Sequence, residues 1–310
     1  MNRHSIIKTR ISGGEVPQLK TQLDNADEIR TVLREVGINW AVDGEPVDVL
    51  MIYLPCRDRK CDTSAFFDLV KNCLLTNFVY SHDHIERRLD IKNPEAVGML
   101  FQRAVGKLSR HTAKGELGEM ILFTLLDVYL GAPKILSKVS MKSSRRMPVY
   151  GADAVHAQYV DGALRLYLGE SKMYSSFTNA ASKATESISN ALDAYENEFD
   201  LIQTWINFPE INTEIENEIL SVLNPFSNNN VHEESIYSPC FIGFSEPSCF
   251  EDKDTYLNSY ENKAKEYIFD FFTKLRNNGG QWNKSTLLML PFSSIDEVVD
   301  GFKEHMGIEE

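Results

Sequence analysis

Residues 149–173 read Val149-Tyr-Gly-Ala-Asp153-Ala-Val-His156-Ala-Gln-Tyr-Val160-Asp161-Gly162-Ala163-Leu-Arg-Leu-Tyr-Leu-Gly-Glu170-Ser171-Lys172-Met173. Two runs of strand-forming residues flank Asp161-Gly162, a pair that turns a chain back in two residues because both positions tolerate positive φ. A two-residue turn sets Val160 opposite Ala163 and, counting outward, Asp153 opposite Glu170. Opposed residues project from the same face, and Lys172, two residues beyond Glu170, points the same way. Its own opposite is Gly151, which leaves room for a long side chain. Two carboxylates held this close repel unless positive charge lies between them. The hairpin therefore predicts Asp153, Glu170 and Lys172 in one patch, suited to a divalent cation and an activated water. Leu164, Leu166 and Leu168 share the face of Glu170, while Arg165, Tyr167 and Gly169 take the other. His156 lies an odd number of residues from Asp153, so it points away and reads as a structural or supporting residue.

Upstream, Lys134 to Met141 reads as a strand and Ser143 to Met147 as a basic turn. Before them, Lys114-Gly-Glu116-Leu-Gly-Glu119 opens an apolar helix that runs to Leu130 and stops at Gly131-Ala-Pro133. Glu116 and Glu119 share a helix face. They either complement the dipole at the helix start or aim a carboxylate at the end of the sheet. A further helix begins at Asn93-Pro94 and buries Val97, Leu100, Phe101, Ala104, Val105 and Leu108. Arg103, Lys107, Arg110 and Lys114 fall in one stripe on its other side, a solvated face or a phosphate-contacting one.

Residues 1–92 form a smaller mixed α/β region. Val47 to Leu54 is a buried strand ended by Pro55, Asp62 to Leu75 a helix capped at Asp62 or Thr63, and Asn77 to Tyr80 extended. His82 and His84 read as exposed loop histidines rather than metal ligands. Downstream, Ser175 to Glu198 is an amphipathic helix, 199–235 an acidic stretch with a loop tip at 227–230, and Cys240 to Phe244 a buried strand. A helix from Glu261 to Asn277, a strand from Leu287 to Phe292 and a helix over 295–306, capped by Ser293 or Ser294, close the chain. The class is α/β, with a boundary near Asn93-Pro94 dividing 1–92 from 93–310.

Composition agrees with a soluble globular protein: 310 residues, 43% hydrophobic and 25% charged. No apolar run suits a membrane span, and the N-terminal residues lack a secretory pattern, so a cytoplasmic location is expected. Five cysteines without a Cys-x-x-Cys pair fit a reducing compartment. Cys56 and Cys61 lack the second pair that a zinc site needs. The net charge of −13 is unevenly spread. Ala184 to Asp252 holds fourteen acids and no Lys or Arg, so this segment alone carries −14 and the remainder sums to +1. Residues 96–114 and 128–152 are basic, the latter through Lys134, Lys138, Lys142, Arg145 and Arg146. Local charge thus admits a nucleic-acid partner that the whole-chain balance would exclude.

Asp153 on one strand, Glu170-Ser171-Lys172 on the next and a preceding helix with Glu116 and Glu119 together resemble the PD-(D/E)xK nuclease superfamily. Ala152 stands where that pattern often has proline. The resemblance implies a restriction-endonuclease-like mixed central sheet flanked by helices. It implies Mg²⁺, with Mn²⁺ able to substitute, held by Asp153, Glu170 and the main-chain carbonyl of Ser171. Lys172 would activate or orient water, and Glu119, or second Glu116, would be the helix carboxylate. Arg103, Lys107, Arg110, Lys114, Lys142, Arg145 and Arg146 would meet DNA phosphates. More narrowly, Gly115-Glu-Leu-Gly-Glu119, Gly151-Ala-Asp153-Ala-Val-His156, Leu168-Gly-Glu-Ser-Lys172 and the closing Leu287–Phe292 strand with its helix are similar to the HamA family, nuclease subunits of the Hachiman anti-phage defence system. That likeness covers 95–310 well and the N-terminal third loosely. It implies a bacterial DNase working with a superfamily-2 helicase, HamB. The chain has no Gly-x-x-x-x-Gly-Lys-Ser/Thr motif, so an ATP-driven motor must be another chain. The rival reading is a non-catalytic module that regulates a helicase and keeps the fold as a DNA-binding frame; an RNase would use the same site.

Overall fold

The computed structural model describes residues 19–80, 85, 94–137, 153–193, 217–218, 220–222 and 234–308. The strands in chain order are β1 (Arg34–Val36), β2 (Trp40–Val42), β3 (Glu45–Tyr53), β4 (Cys56–Arg57), β5 (Lys60–Cys61), β6 (Lys134–Ser137), β7 (Ala154–Val160), β8 (Ala163–Tyr174), β9 (Ile236–Ser245) and β10 (Ser285–Phe292). The helices are α1 (Ala26–Val32), α2 (Ser64–Leu69), α3 (Leu75–Val79), α4 (Pro94–Val105), α5 (Ala113–Val128), α6 (Phe177–Asp193), α7 (Tyr256–Asn277) and α8 (Ile295–Met306).

Eight strands form one mixed sheet in the order β1-β3-β10-β9-β8-β7-β6, with β2 also on β3; β4 and β5 make a separate hairpin. The pairs β3/β10, β10/β9 and β9/β8 are parallel and the outer pairs antiparallel. Parallel strands are covered on both faces, which is why Leu287-Leu-Met-Leu-Pro-Phe292 is an unbroken apolar run. Its residues divide by parity. Leu288 and Leu290 join Leu50, Ile52 and Phe241 under α2, α3, α5 and α8. Leu287 and Met289 join Met51, Cys240 and Ile242 under α6 and α7. This is the expected mixed central sheet flanked by helices. The boundary expected near Asn93-Pro94 does not divide the sheet, because β3 lies directly beside β10.

Several local expectations change. Asn77 to Tyr80 is not extended: a π-helical turn, Val70–Leu74, joins α2 to α3. The wider turn re-phases the helix so that Phe78 and Val79 stay in the core. The helix before β10 begins at Tyr256 rather than Glu261 and adds buried Tyr256 and Tyr260. Val97 is 49% exposed, not buried. Ser294 caps α8 by accepting from the Glu297 N–H at 3.3 Å. The Glu297 carboxylate does not close a capping box; it pairs with Lys60 at 2.9 Å. His82, His84, Lys138, Lys142, Arg145, Arg146 and the 227–230 loop tip lie outside the described residues, as does most of the acidic stretch.

The expectation that Lys134 adds to a basic surface is also overturned. Lys134 is 6% exposed, and its Nζ donates to the carbonyls of Asn77 (2.6 Å), Phe78 (2.9 Å) and Tyr80 (3.2 Å). It thereby satisfies orphan carbonyls at the end of α3. Asp127, fully buried on α5, accepts from the N–H groups of Gln22 and Leu23, each at 2.9 Å in its shortest contact. Burial raises the Asp127 carboxyl to about 6 against the pull of these bonds and of Lys134. Burial likewise lowers Lys134 to about 7, opposed by the charge of Asp127. Removing the Lys134 ammonium takes a charged donor from buried main-chain carbonyls, and a buried acceptor left unsatisfied costs about 1–3 kcal/mol. Lys134→Met is therefore expected to lower the unfolding free energy by at least about that amount, read from a urea melt. A melt indistinguishable from wild type would show that these bonds contribute nothing.

Candidate functional site

The β7–β8 hairpin has the register that its turn demands. Asp161 and Gly162 have φ of 54° and 81°, and Val160 pairs with Ala163, a type I′ turn whose twist matches the strands. The ladder runs without slip to Ala154↔Gly169. Asp153 comes next, just beyond the last pair of the ladder, and its N–H donates to Gly169 O at 3.0 Å. That bond is one step off the ladder register, so the pairing ends at Asp153 in a bulge.

Three charged side chains gather at this end. Glu170 is 9% exposed and accepts from Lys172 Nζ. Asp153 Oδ2 accepts from the Ser171 N–H at 2.9 Å. Burial by itself would lower the pKa of the Lys172 ammonium. The charge and hydrogen bond of Glu170, with the charge of Asp153, outweigh it and raise the pKa above its ordinary value. Lys172 is thus the positive charge that two adjacent carboxylates require. The Ser171 N–H faces β7, and a residue's N–H and C=O point to the same side of a strand. The Ser171 carbonyl therefore also faces the β7 side, past the last pair of the ladder. Cys240 is the β9 neighbour of Glu170; burial, then the charge of Glu170, push its thiol well up.

The helix carboxylates stand differently from one another. A Cβ on Gly118 would overlap Ser171 Oγ and come within 3.1 Å of Met173 Cγ. Helix α5 therefore crosses the face of β8 that carries Gly169, Ser171 and Met173, opposite to that of Glu170 and Lys172. Glu116 is 2% exposed. Its Oε2 accepts from the Ser109 N–H at 3.1 Å and its Oε1 from Thr112 Oγ1 at 2.8 Å. It ties down the loop before α5, a structural task. Glu119 follows Gly118 at the level of Ser171 and is half-buried, with Oε2 withdrawn from solvent. Any approach of Glu119 to the hairpin carboxylates has to go round the end of the sheet.

The basic stripe does not form. Helix α4 ends at Val105, a turn through Gly106 to Thr112 follows, and α5 begins at Ala113. Arg103 and Arg110 are exposed, Lys107 is half-buried in the turn, and Lys114 pairs with Asp296 at 3.6 Å. His156 is fully buried on the α5 side, its Nδ1 2.6 Å from Ala132 O and its ring 5.9 Å from that of Phe123. Burial above all lowers it to about 3, so it is neutral and structural, as its parity in the strand indicates.

Among the described residues, no three or more His, Cys, Asp or Glu side chains stand close enough to hold a metal. The donor set at this corner is two carboxylates and one main-chain carbonyl, all hard oxygens. Together with a net negative charge after Lys172 is counted, it fits Mg²⁺ rather than a softer ion. The sequence matches the family model described as HamA over residues 33–306. Comparison with curated proteins gives no match.

Close packing of α5 on β8 separates two glycines of one helix. Alanine in place of glycine in a helix ordinarily gains about 1 kcal/mol. Gly115 has open space around its Cβ position, so Gly115→Ala is expected to stabilise. At Gly118 overpacking, typically about 1–3 kcal/mol, opposes the gain, and Gly118→Ala is expected to lower the melting temperature. Equal stabilisation of both variants would contradict the packing described.

Proposed function

The chain belongs to the HamA family, of the Hachiman antiviral defence system, and from that premise we propose that it is a metal-dependent DNA endonuclease subunit. The observation that carries the reading is the convergence of Asp153 and Glu170 on Lys172 at the open end of a strand pair. In this reading Asp153, Glu170 and the Ser171 carbonyl hold Mg²⁺, for which Mn²⁺ substitutes. When bound, such a cation acidifies water and neutralises charge developing on a phosphate.

The chain's own groups do the rest. Lys172 keeps its proton because carboxylates surround it, so it stabilises negative charge and orients the attacking water rather than abstracting a proton. Asp153, fixed by the Ser171 N–H, and Glu170, fixed by Lys172, are pre-organised. Preset geometry is what makes electrostatic catalysis effective. Glu119 is the helix carboxylate assigned to this site in preference to Glu116, which accepts from Ser109 and Thr112. Exposed Arg103 and Arg110 are cations offered to the phosphate backbone, with half-buried Lys107 in the turn between them; Lys114 would first exchange Asp296 for phosphate. The motor is a separate superfamily-2 helicase, HamB-like, and the acidic segment 184–252 suits docking on a basic surface of it.

Two measurements test the proposal. Lys172→Ala is expected to abolish Mg²⁺-dependent DNA cleavage with the circular dichroism spectrum unchanged; full cleavage by this variant would refute the assignment. Calorimetry is expected to find a Mn²⁺ site in the wild type that Asp153→Asn and Glu170→Gln both lose. No heat of binding in the wild type would favour the non-catalytic, helicase-regulating module instead.

A further inference from the structure

The β4–β5 hairpin holds two cysteines in the geometry of a cross-strand disulfide. Cys56 and Cys61 are direct partners, and Arg57 and Lys60 are the next pair towards the turn. Asp58 and Arg59 have φ of 51° and 60°, a two-residue type I′ turn. In such a hairpin the pair flanking the turn is hydrogen-bonded and the pairs then alternate. Two positions back, Asp62 N–H donates to Pro55 O at 2.8 Å, which fixes the phase. The Cys56/Cys61 pair is therefore non-hydrogen-bonded. At such a pair the Cα atoms are about 4.5 Å apart and the side chains lie closest together, within the reach of a disulfide. The other cysteines lack such a partner. Cys73 sits beside Asn25, Cys240 lies in the central strand, and Cys249 is buried in a 3-10 turn.

We propose that Cys56 and Cys61 form a reversible disulfide by exchange with a low-molecular-weight disulfide such as oxidised glutathione. Cys61 lines a surface cleft of about 570 Å³ with Arg57, Lys60, Asp62 and Thr63, whereas Cys56 is only 8% exposed. The Cys61 thiolate attacks one sulfur of oxidised glutathione, forming a mixed disulfide and releasing one glutathione thiolate. The Cys56 thiolate then attacks the Cys61 sulfur and releases the second. Two protein thiols are oxidised, one glutathione disulfide is reduced, and the two thiol protons end on the released glutathione. The native register already presents the pair, so no strand has to move. Burial pushes both thiols up, Cys61 further than Cys56 although Cys61 borders the cleft, so the exchange is slow at neutral pH and answers to sustained oxidation. Readily reversible disulfides of this kind are the ones that a reducing compartment tolerates.

The test is incubation of the full chain with oxidised glutathione under native conditions, followed by thiol titration and a non-reducing peptide map. The wild type is expected to lose two of its five free thiols, with Cys56 linked to Cys61 and both thiols regained on reduction. Cys56→Ser is expected to stop at glutathione attached to Cys61, a trapped first step. A link from either residue to Cys249, no link at all, or a Cys56–Cys61 link that forms as fast in concentrated urea would overturn the proposal. The last result would show that the native register plays no part.

Discussion

The register of β7 against β8 is the constraint on which the site depends. A two-residue turn at Asp161-Gly162 fixes each pair as far as Ala154↔Gly169, just short of Asp153, and a slip of one residue along that ladder would send Glu170 and Lys172 to the other face of the sheet. Along most of its length the same register places leucines in the core. At its end it places two carboxylates about the Lys172 ammonium. The leucines give the register its stability, and the charged end uses it. Where the ladder stops, the Ser171 N–H turns towards Asp153 and holds that carboxylate.

The surroundings make this corner rigid. On one side β8 pairs with β9, a parallel strand inside a sheet covered on both faces. From below, α5 presses Gly118 against Ser171, the residue between Glu170 and Lys172. The helix also carries its own buried devices: Glu116 holds the preceding loop, and Asp127 with Lys134 ties α5 and β6 to the end of α3 and to residues 22–23. A short glycine contact and two buried polar clusters thus lock the helix that supports the site. The hairpin of Cys56 and Cys61 stands apart from this machinery, against the turn that leads from β10 to α8.

What could be read from sequence followed the range of the forces. The hairpin register was legible because Asp-Gly acts over two residues, and the face of His156 because strand parity is local. The closing strand and helix, Ser285–Phe292 and Ile295–Met306, were legible for the same reason. The unread features rest on distant partners. Nothing near Asn77-Phe-Val-Tyr80 says that it ends a helix capped by a lysine more than fifty residues away. The charge spacing of Arg103, Lys107, Arg110 and Lys114 is that of one helix, yet the bonds of Glu116 fold the chain into a turn between them. A signal for the buried pair was present: Asp127 is a lone acid inside an otherwise apolar run, and such a residue needs a buried partner. The place of β3 beside β10 is a parallel pairing across most of the chain, beyond any local pattern.

The claim at the centre is that one divalent cation binds between Asp153 and Glu170. Crystals grown with Mn²⁺ and measured at its absorption edge test this directly. An anomalous peak coordinated by both carboxylates and by the Ser171 carbonyl, with Lys172 beside it, is expected. A peak elsewhere with this corner empty, or no ordered Mn²⁺ at all, would contradict it.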